Sequence, residues 1–268
     1  MPTGKAMYVS GSADTNAGPS PGVWKDCPWS DIQIDPRVGF SFFDDFVSRP
    51  FTVPTTEANF GSMWKGFSSS GGLMSEGGEV GGTFLIGDAT DDEGASIATV
   101  GLPFKIIRGG GSLWFEARVK FTAITNTASG HFLGLMAQQT LSATVPIAAA
   151  GTLADNNFVG WHRLEGDGDQ VDAVYKADGV TQVNVGTDLA PTALVAGTYV
   201  KLGMYYNQDS YDLKFYVDGV EVDSYNVVAA AGTDFPNDVQ MGISLNSLST
   251  TDGGQMELDW VRAAQLRV

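Results

Sequence analysis

The chain has 268 residues, with 15 Lys and Arg against 31 Asp and Glu for a formal net charge of −16, and it is 43% hydrophobic and 11% aromatic. That composition supplies a core of ordinary globular size. A surface so acidic repels phosphate backbones and anionic lipid, which excludes nucleic acid and membrane surfaces as partners, and no run of 18 apolar residues occurs.

Residues 1–39 hold Pro2, Pro19, Pro21, Pro28 and Pro36 among scattered glycines, with no sustained period of 2 or 3.6. Such a segment builds no core of its own. It nevertheless carries Tyr8, Trp24, Trp29, Ile32 and Ile34, more apolar surface than a solvated linker needs. We read residues 1–39 as an extended N-terminal arm and residues 40–268 as the domain it serves. The five apolar residues are candidate partner contacts, and the arm folds either onto its own domain or onto a neighbouring subunit.

Strand signals become regular from Phe40. Phe40–Phe46 opens the domain, Ser62–Phe67 follows, and the stretch from Gly71 to Gly82 reads as tight turns around short strands. That stretch lacks the Lys-Ser/Thr ending and following helix of a phosphate loop. Ser112–Phe121 is the cleanest strand, with Leu113, Phe115, Ala117, Val119 and Phe121 on one face and Glu116, Arg118 and Lys120 on the other. Further strands are expected at Gly130–Gln138, Phe158–Leu164, Val171–Lys176, Thr181–Val185, Tyr199–Tyr206, Val239–Leu245 and Gln255–Val261. Asp178-Gly179 predicts one two-residue hairpin. Asp218-Gly219 predicts another, between Leu213-Lys214-Phe215-Tyr216-Val217 and Val220-Glu221-Val222, because a type I′ turn needs positive φ at both central residues.

Roughly a dozen short antiparallel strands without a long helical period predict an all-β, two-sheet jelly-roll sandwich. Phe115-Glu116-Ala117-Arg118-Val119-Lys120, the hairpin Phe215–Val222 and the closing strand Met256-Glu257-Leu258-Asp259-Trp260-Val261-Arg262 together resemble the concanavalin A-like lectin and glucanase superfamily, which includes laminin G-like modules. The resemblance covers Phe40 to Val268. Its laminarinase branch implies a Glu-x-Asp-x-x-Glu or Glu-x-Asp-x-Glu run on one strand, which this sequence lacks.

The nearest approach is Glu257-Leu258-Asp259, two carboxylates spaced about 6.5–7 Å along a strand, within the range of inverting glycosidases. Arg118, Lys120 and Arg262 are available as partners, so structural ion pairing is the expected role, with catalysis as the alternative. Glu165-Gly166-Asp167-Gly168-Asp169 offers carboxylates for Ca²⁺ but lacks the ligand spacing of a calcium loop. It reads as a solvated tip, and the acidic loop of Asp88, Asp91, Asp92 and Glu93 reads the same way. His131 and His162 have no companion ligands for zinc, and the single cysteine, Cys27, forbids an internal disulfide. No cofactor is expected.

Aromatic platforms are what a sugar site would need. Trp114 and Trp161 fall out of phase with their apolar neighbours, which makes them the candidate glycan contacts. The stretches Phe42-Phe43-Asp44-Asp45-Phe46 and Phe158–Leu164 are also similar to structural proteins of marine tailed bacteriophages. That resemblance implies a non-enzymatic virion protein, a capsid decoration or head-associated block assembled in the host cytoplasm. Its partners would be capsid protein or further copies of itself, in an oligomer. A lectin-like adhesin on a fibre and a glycoside hydrolase are the alternatives.

Overall fold

A computed structural model describes residues 17–47, 55–69, 73–78, 82–88, 93–125, 129–137, 140–142, 145–148, 152–163, 169–187, 189, 194–227, 234–249 and 254–267. Two short helices come first, α1 (Pro21–Trp24) and α2 (Trp29–Ile34). The strands are β1 (Gly39–Asp44), β2 (Ala58–Phe60), β3 (Trp64–Ser68), β4 (Leu73–Glu76), β5 (Phe84–Asp88), β6 (Gly94–Thr99), β7 (Phe104–Lys105), β8 (Leu113–Phe121) and β9 (Ser129–Ala137). They continue as β10 (Phe158–Arg163), β11 (Asp172–Lys176), β12 (Val183–Gly186), β13 (Tyr199–Tyr206), β14 (Asp212–Val217), β15 (Val220–Asn226), β16 (Gln240–Ser249) and β17 (Gly254–Leu266).

All named pairings are antiparallel, in two sheets. The first runs β15-β14-β13-β8-β17-β5-β4, and β1 lies beside β17 beyond the end of β5. The second runs β12-β11-β10-β9-β16-β6-β3-β2, with β7 on the start of β16. Between them lies the main core, in which Leu113, Phe115, Val119 and Phe121 of β8 face Leu133, Leu135, Val159 and Ile243 of the second sheet. The all-β sandwich expected from strand period and turn spacing is the architecture found.

The hairpin at Asp218-Gly219 has the geometry its sequence demands. φ is 48° at Asp218 and 78° at Gly219, and Val217 pairs with Val220 across the turn. Asp178-Gly179 differs. Only Gly179 has positive φ, the Val180 N–H donates to the Ala177 carbonyl, and residues 177–182 form a longer loop that sets Tyr175 opposite Val183. The expected two-residue hairpin there is corrected, because one left-handed residue cannot make a type I′ turn.

The described part of the arm, residues 17–38, carries both helices and lies on the outer face of the first sheet. Val23, Trp24, Cys27 and Ile32 pack there against Trp114, Tyr205, Tyr216 and Ala264. Trp24 and Ile32 are therefore corrected as partner contacts, since their own sheet already covers them. Trp29 is half-buried and Ile34 is 81% exposed. Tyr8 lies outside the described residues.

Candidate functional site: two covered sheet faces and a carboxylate pair

Glu257 and Asp259 sit on the outer side of β17, with Asp259 the extra residue of a bulge that shifts register between Leu258 and Trp260. Lys120 meets Glu257 at 2.9 Å, the Thr83 hydroxyl donates to Glu257 Oε1 at 2.7 Å and the Tyr199 hydroxyl does so at 3.2 Å. Arg118 is paired with Asp259. The Tyr199 ring lies under both cations, 3.9 Å from the Arg118 guanidinium carbon and 4.7 Å from Lys120 Nζ. Each carboxylate thus has its own cation, the ion-pair role expected of them. Arg262, the third cation in reach by sequence, instead covers Trp29 at 3.4 Å and Trp24 at 4.5 Å.

Further along the same face, the arm is fastened through Glu116. This carboxylate is fully buried, and its Oε2 accepts the Ser20 N–H at 3.0 Å and the Trp24 indole N–H at 2.7 Å. Burial raises its carboxyl above the usual range, opposed by the Ser20 and Trp24 bonds and by the charge of Lys201. Two more anchors flank it: Trp260 Nε1 donates to the Ala17 carbonyl at 2.7 Å, and Lys201 Nζ to the Gly18 carbonyl at 3.2 Å. Gly22 meets the turn of the Asp218-Gly219 hairpin so closely that a Cβ on it would overlap the Gly219 carbonyl oxygen. The Cys27 thiol is buried in this seat, and burial pushes it up to about 12 despite Arg262 nearby.

Burying the Trp24 ring is worth roughly 4–6 kcal/mol, and Val23 and Ile32 about 2 kcal/mol each. A desolvated carboxylate costs several kcal/mol, part of which its two hydrogen bonds return. The packing thus offsets the cost of burying the Glu116 carboxylate.

The outer face of the second sheet is covered as well, by the described parts of residues 141–154. Leu141, Val145, Ile147 and Leu153 pack on Phe132, Met136, Phe158 and Val174. The segment is pinned at mid-sheet, where the Ser96 hydroxyl donates to the Val145 carbonyl at 2.8 Å and the Ile147 N–H donates to Asn246 Oδ1 at 3.3 Å. Asn246 Nδ2 in turn donates to Ser96 Oγ at 2.6 Å. Nearby, His162 is fully buried beside Gln182, and burial holds its imidazole down to about 3. His131, with a Ser129 hydroxyl at 2.7 Å, is also held well below its usual value, by burial and by Arg163 and His162. Among the described residues no group of three metal-ligating side chains converges. Glu165, Gly166, Asp167 and Gly168, like Asp91, Asp92 and the Asp88 side chain, lie outside what is described.

Trp114 and Trp161 are corrected as glycan contacts. Trp161 is 0% exposed in the core, its indole donating across the sandwich to the Gly203 carbonyl at 3.1 Å and meeting Phe215 edge-on at 5.4 Å. Trp114 does face outward, but it is stacked on Tyr205 at 5.2 Å under the arm and is 1% exposed. Two cavities with described linings hold about 110 and 230 Å³, below the roughly 300–1,000 Å³ of small-molecule sites. Sequence reasoning missed Glu116 as an anchor and the Ser96–Asn246 pin. Asn246 was readable, since one amide in the apolar run of β16 signals a buried partner.

No family model matches the chain, and no curated protein sequence matches it. Solved structures do. A glycoside hydrolase family 16 endo-glucanase from Bacteroides ovatus superposes with a TM-score of 0.56 at 14% identity, over 82% of this chain and 98% of that one. The endo-1,3-beta-glucanase of Streptomyces sioyaensis gives 0.53 at 15%, over 85% and 96%. A protein of unknown function from Shewanella oneidensis gives 0.53 at 13%, over 86% and 87%. The likeness is one of fold. The two-sheet antiparallel sandwich described above is the fold that this chain shares with these glucanases.

Proposed function

We propose that this chain is a non-enzymatic structural protein of a bacteriophage virion, a capsid-decoration or head-associated block that assembles with capsid protein or with its own copies. The observation that carries the non-enzymatic part is the engagement of Glu257 by Lys120 and of Asp259 by Arg118. A carboxylate whose oxygens are held by an ammonium or guanidinium group is a poor general base or nucleophile, because the pairing occupies its lone pairs. The virion part is supported by the sequence resemblance around Phe42–Phe46 and Phe158–Leu164. With Trp24 and Ile32 committed to the chain's own sheet, docking falls to exposed Ile34 and half-buried Trp29, with Tyr8 as a further candidate. Co-purification with phage particles tests this reading. A protein that is never particle-borne would sink it.

A glycoside hydrolase is the second reading, favoured by a fold shared with glucanases. It requires Glu257 or Asp259 to leave its cation, and measurable turnover of a β-glucan would support it.

A further inference from the structure

The segment that covers the second sheet ends on a relay of side chains. The Leu153 N–H donates to Gln182 Oε1 at 3.1 Å, while Gln182 Nε2 lies 3.3 Å from His162 Nδ1 and donates to Asn184 Oδ1 at 3.0 Å. A backbone N–H can only donate, so Leu153 fixes which end of the amide faces it. Nε2 therefore faces the imidazole as a donor, Nδ1 accepts, and the neutral ring carries its proton on Nε2. That ring nitrogen is buried without a hydrogen-bond partner among the described residues.

We propose that His162 and Gln182 form an acid-sensitive latch, in which protonation of the imidazole releases the Leu153 end of the covering segment from the second sheet. A proton arriving at Nδ1 meets the donating Nε2 of Gln182. To offer the ring an acceptor, the amide must turn its Oε1 inward, which takes that acceptor from the Leu153 N–H and sets donor against donor there. The same turn brings Oε1 against Asn184 Oδ1, whose own amide nitrogen is held by Asp172 Oδ2 at 2.8 Å. Buried groups left in this way cost more than their solvated forms, so lifting the segment into water relieves both ends of the relay. Opening bares Phe132, Met136, Phe158 and Val174, the apolar side chains beneath it.

The charges around the ring leave burial in control. On β11, Asp172 stands directly across from His162 and favours the imidazolium, while Lys176, paired with Asp155, opposes it. Arg163 on β10 and His131 on β9 fall on the sheet's other face with the main core. The described residues of the segment, 141–142, 145–148 and 152–154, carry no charge. The closed segment holds His162 at about 3, and an opened one lets it return toward 6.5. Closure is therefore complete above 6.5 and weakens as pH falls toward the lower value. At the segment's other end, Glu57 Oε2 accepts the Leu141 N–H at 2.7 Å and Lys65 Nζ at 2.9 Å, so protonating Glu57 is the rival route to opening.

The test is amide hydrogen exchange of the full chain, with each rate divided by the intrinsic rate at the same pH and β13 as the reference for global unfolding. Exchange within residues 141–154 of the wild type is expected to rise about tenfold or more between about pH 7 and pH 4.5, without a matching rise in β13. His162→Gln removes the titrating group and is expected to abolish the rise. Gln182→Glu keeps one oxygen for the Leu153 N–H and offers the other to a protonated ring, so this variant is expected to stay closed on acidification. It also carries the test if His162→Gln does not fold. A rise that persists in His162→Gln would assign opening to Glu57 and overturn the latch. So would a Gln182→Glu variant that still opens in acid, or a wild-type segment that follows β13 at every pH. The latch goes beyond the virion reading and does not rest on it, since its readout is local to the second sheet and needs no particle.

Discussion

The indole of Trp24 donates to the carboxylate of Glu116 over 2.7 Å, and both side chains are fully buried between the arm and the sheet it covers. The bond joins residues 92 positions apart. Trp24→Phe keeps most of the apolar ring and removes the donor, for an expected loss of about 1–3 kcal/mol. Trp24→Ala removes the ring as well and is expected to cost about 3–5 kcal/mol. Urea denaturation gives both numbers, and limited proteolysis within residues 17–38 reports whether the loss is local to the arm.

The same carboxylate makes arm docking depend on pH. Burial raises the folded pKa of Glu116 above its ordinary 4.5, so the folded state binds the proton more tightly than the unfolded one. Its stabilising contribution is complete below 4.5 and is lost as pH rises through the raised folded value. The difference in unfolding free energy between wild type and Glu116→Gln should therefore shift against the wild type as pH rises through that window. A difference independent of pH between 4 and 8 would contradict the burial argument.

His162 acts in the opposite direction. Its folded pKa falls from 6.5 to about 3, so the neutral ring's contribution is complete above 6.5 and is lost as pH falls toward the folded value. His162→Gln, which cannot ionise, should flatten the acid side of the stability profile between pH 6.5 and 3. An unchanged acid slope would assign that slope to other groups.

Asn246 pins the segment that covers the second sheet. Asn246→Ala leaves the Ile147 N–H without its acceptor and takes the amide donor from Ser96 Oγ and the Ala95 carbonyl, for an expected cost of about 2–4 kcal/mol. Cleavage by a nonspecific protease is expected to appear first within residues 141–154.

Strand period made much of this fold legible. β8 and β13 were readable to within a residue because apolar and polar positions alternate cleanly along them, and Asp218-Gly219 because its two left-handed residues select one turn. β6 was not. Gly-Ala-Ser-Ile-Ala-Thr has no alternation, since both its faces are covered and every residue is buried. β17 runs on past the expected Val261 to Leu266, because Ala263, Ala264 and Gln265 are all buried and show no alternation of apolar and polar residues. The errors at Trp114 and Trp161 have related causes. The phase that set Trp114 outward was right, but the arm roofs that face. Trp161 shares its face with buried Val159, so its environment followed from the partner sheet and not from its polar neighbours. Periodicity assigns a residue to a face and says nothing of what covers it.

The decisive comparison is between wild type and Glu257→Gln, assayed for β-1,3- and mixed-linkage glucan hydrolysis and for unfolding free energy in the same preparations. The expected result is no turnover by either protein. A loss of about 3–5 kcal/mol is expected in the variant, because Lys120 is left nearly buried without its carboxylate. Turnover by the wild type that disappears in a variant of unchanged stability would make Glu257 catalytic and contradict the building-block reading.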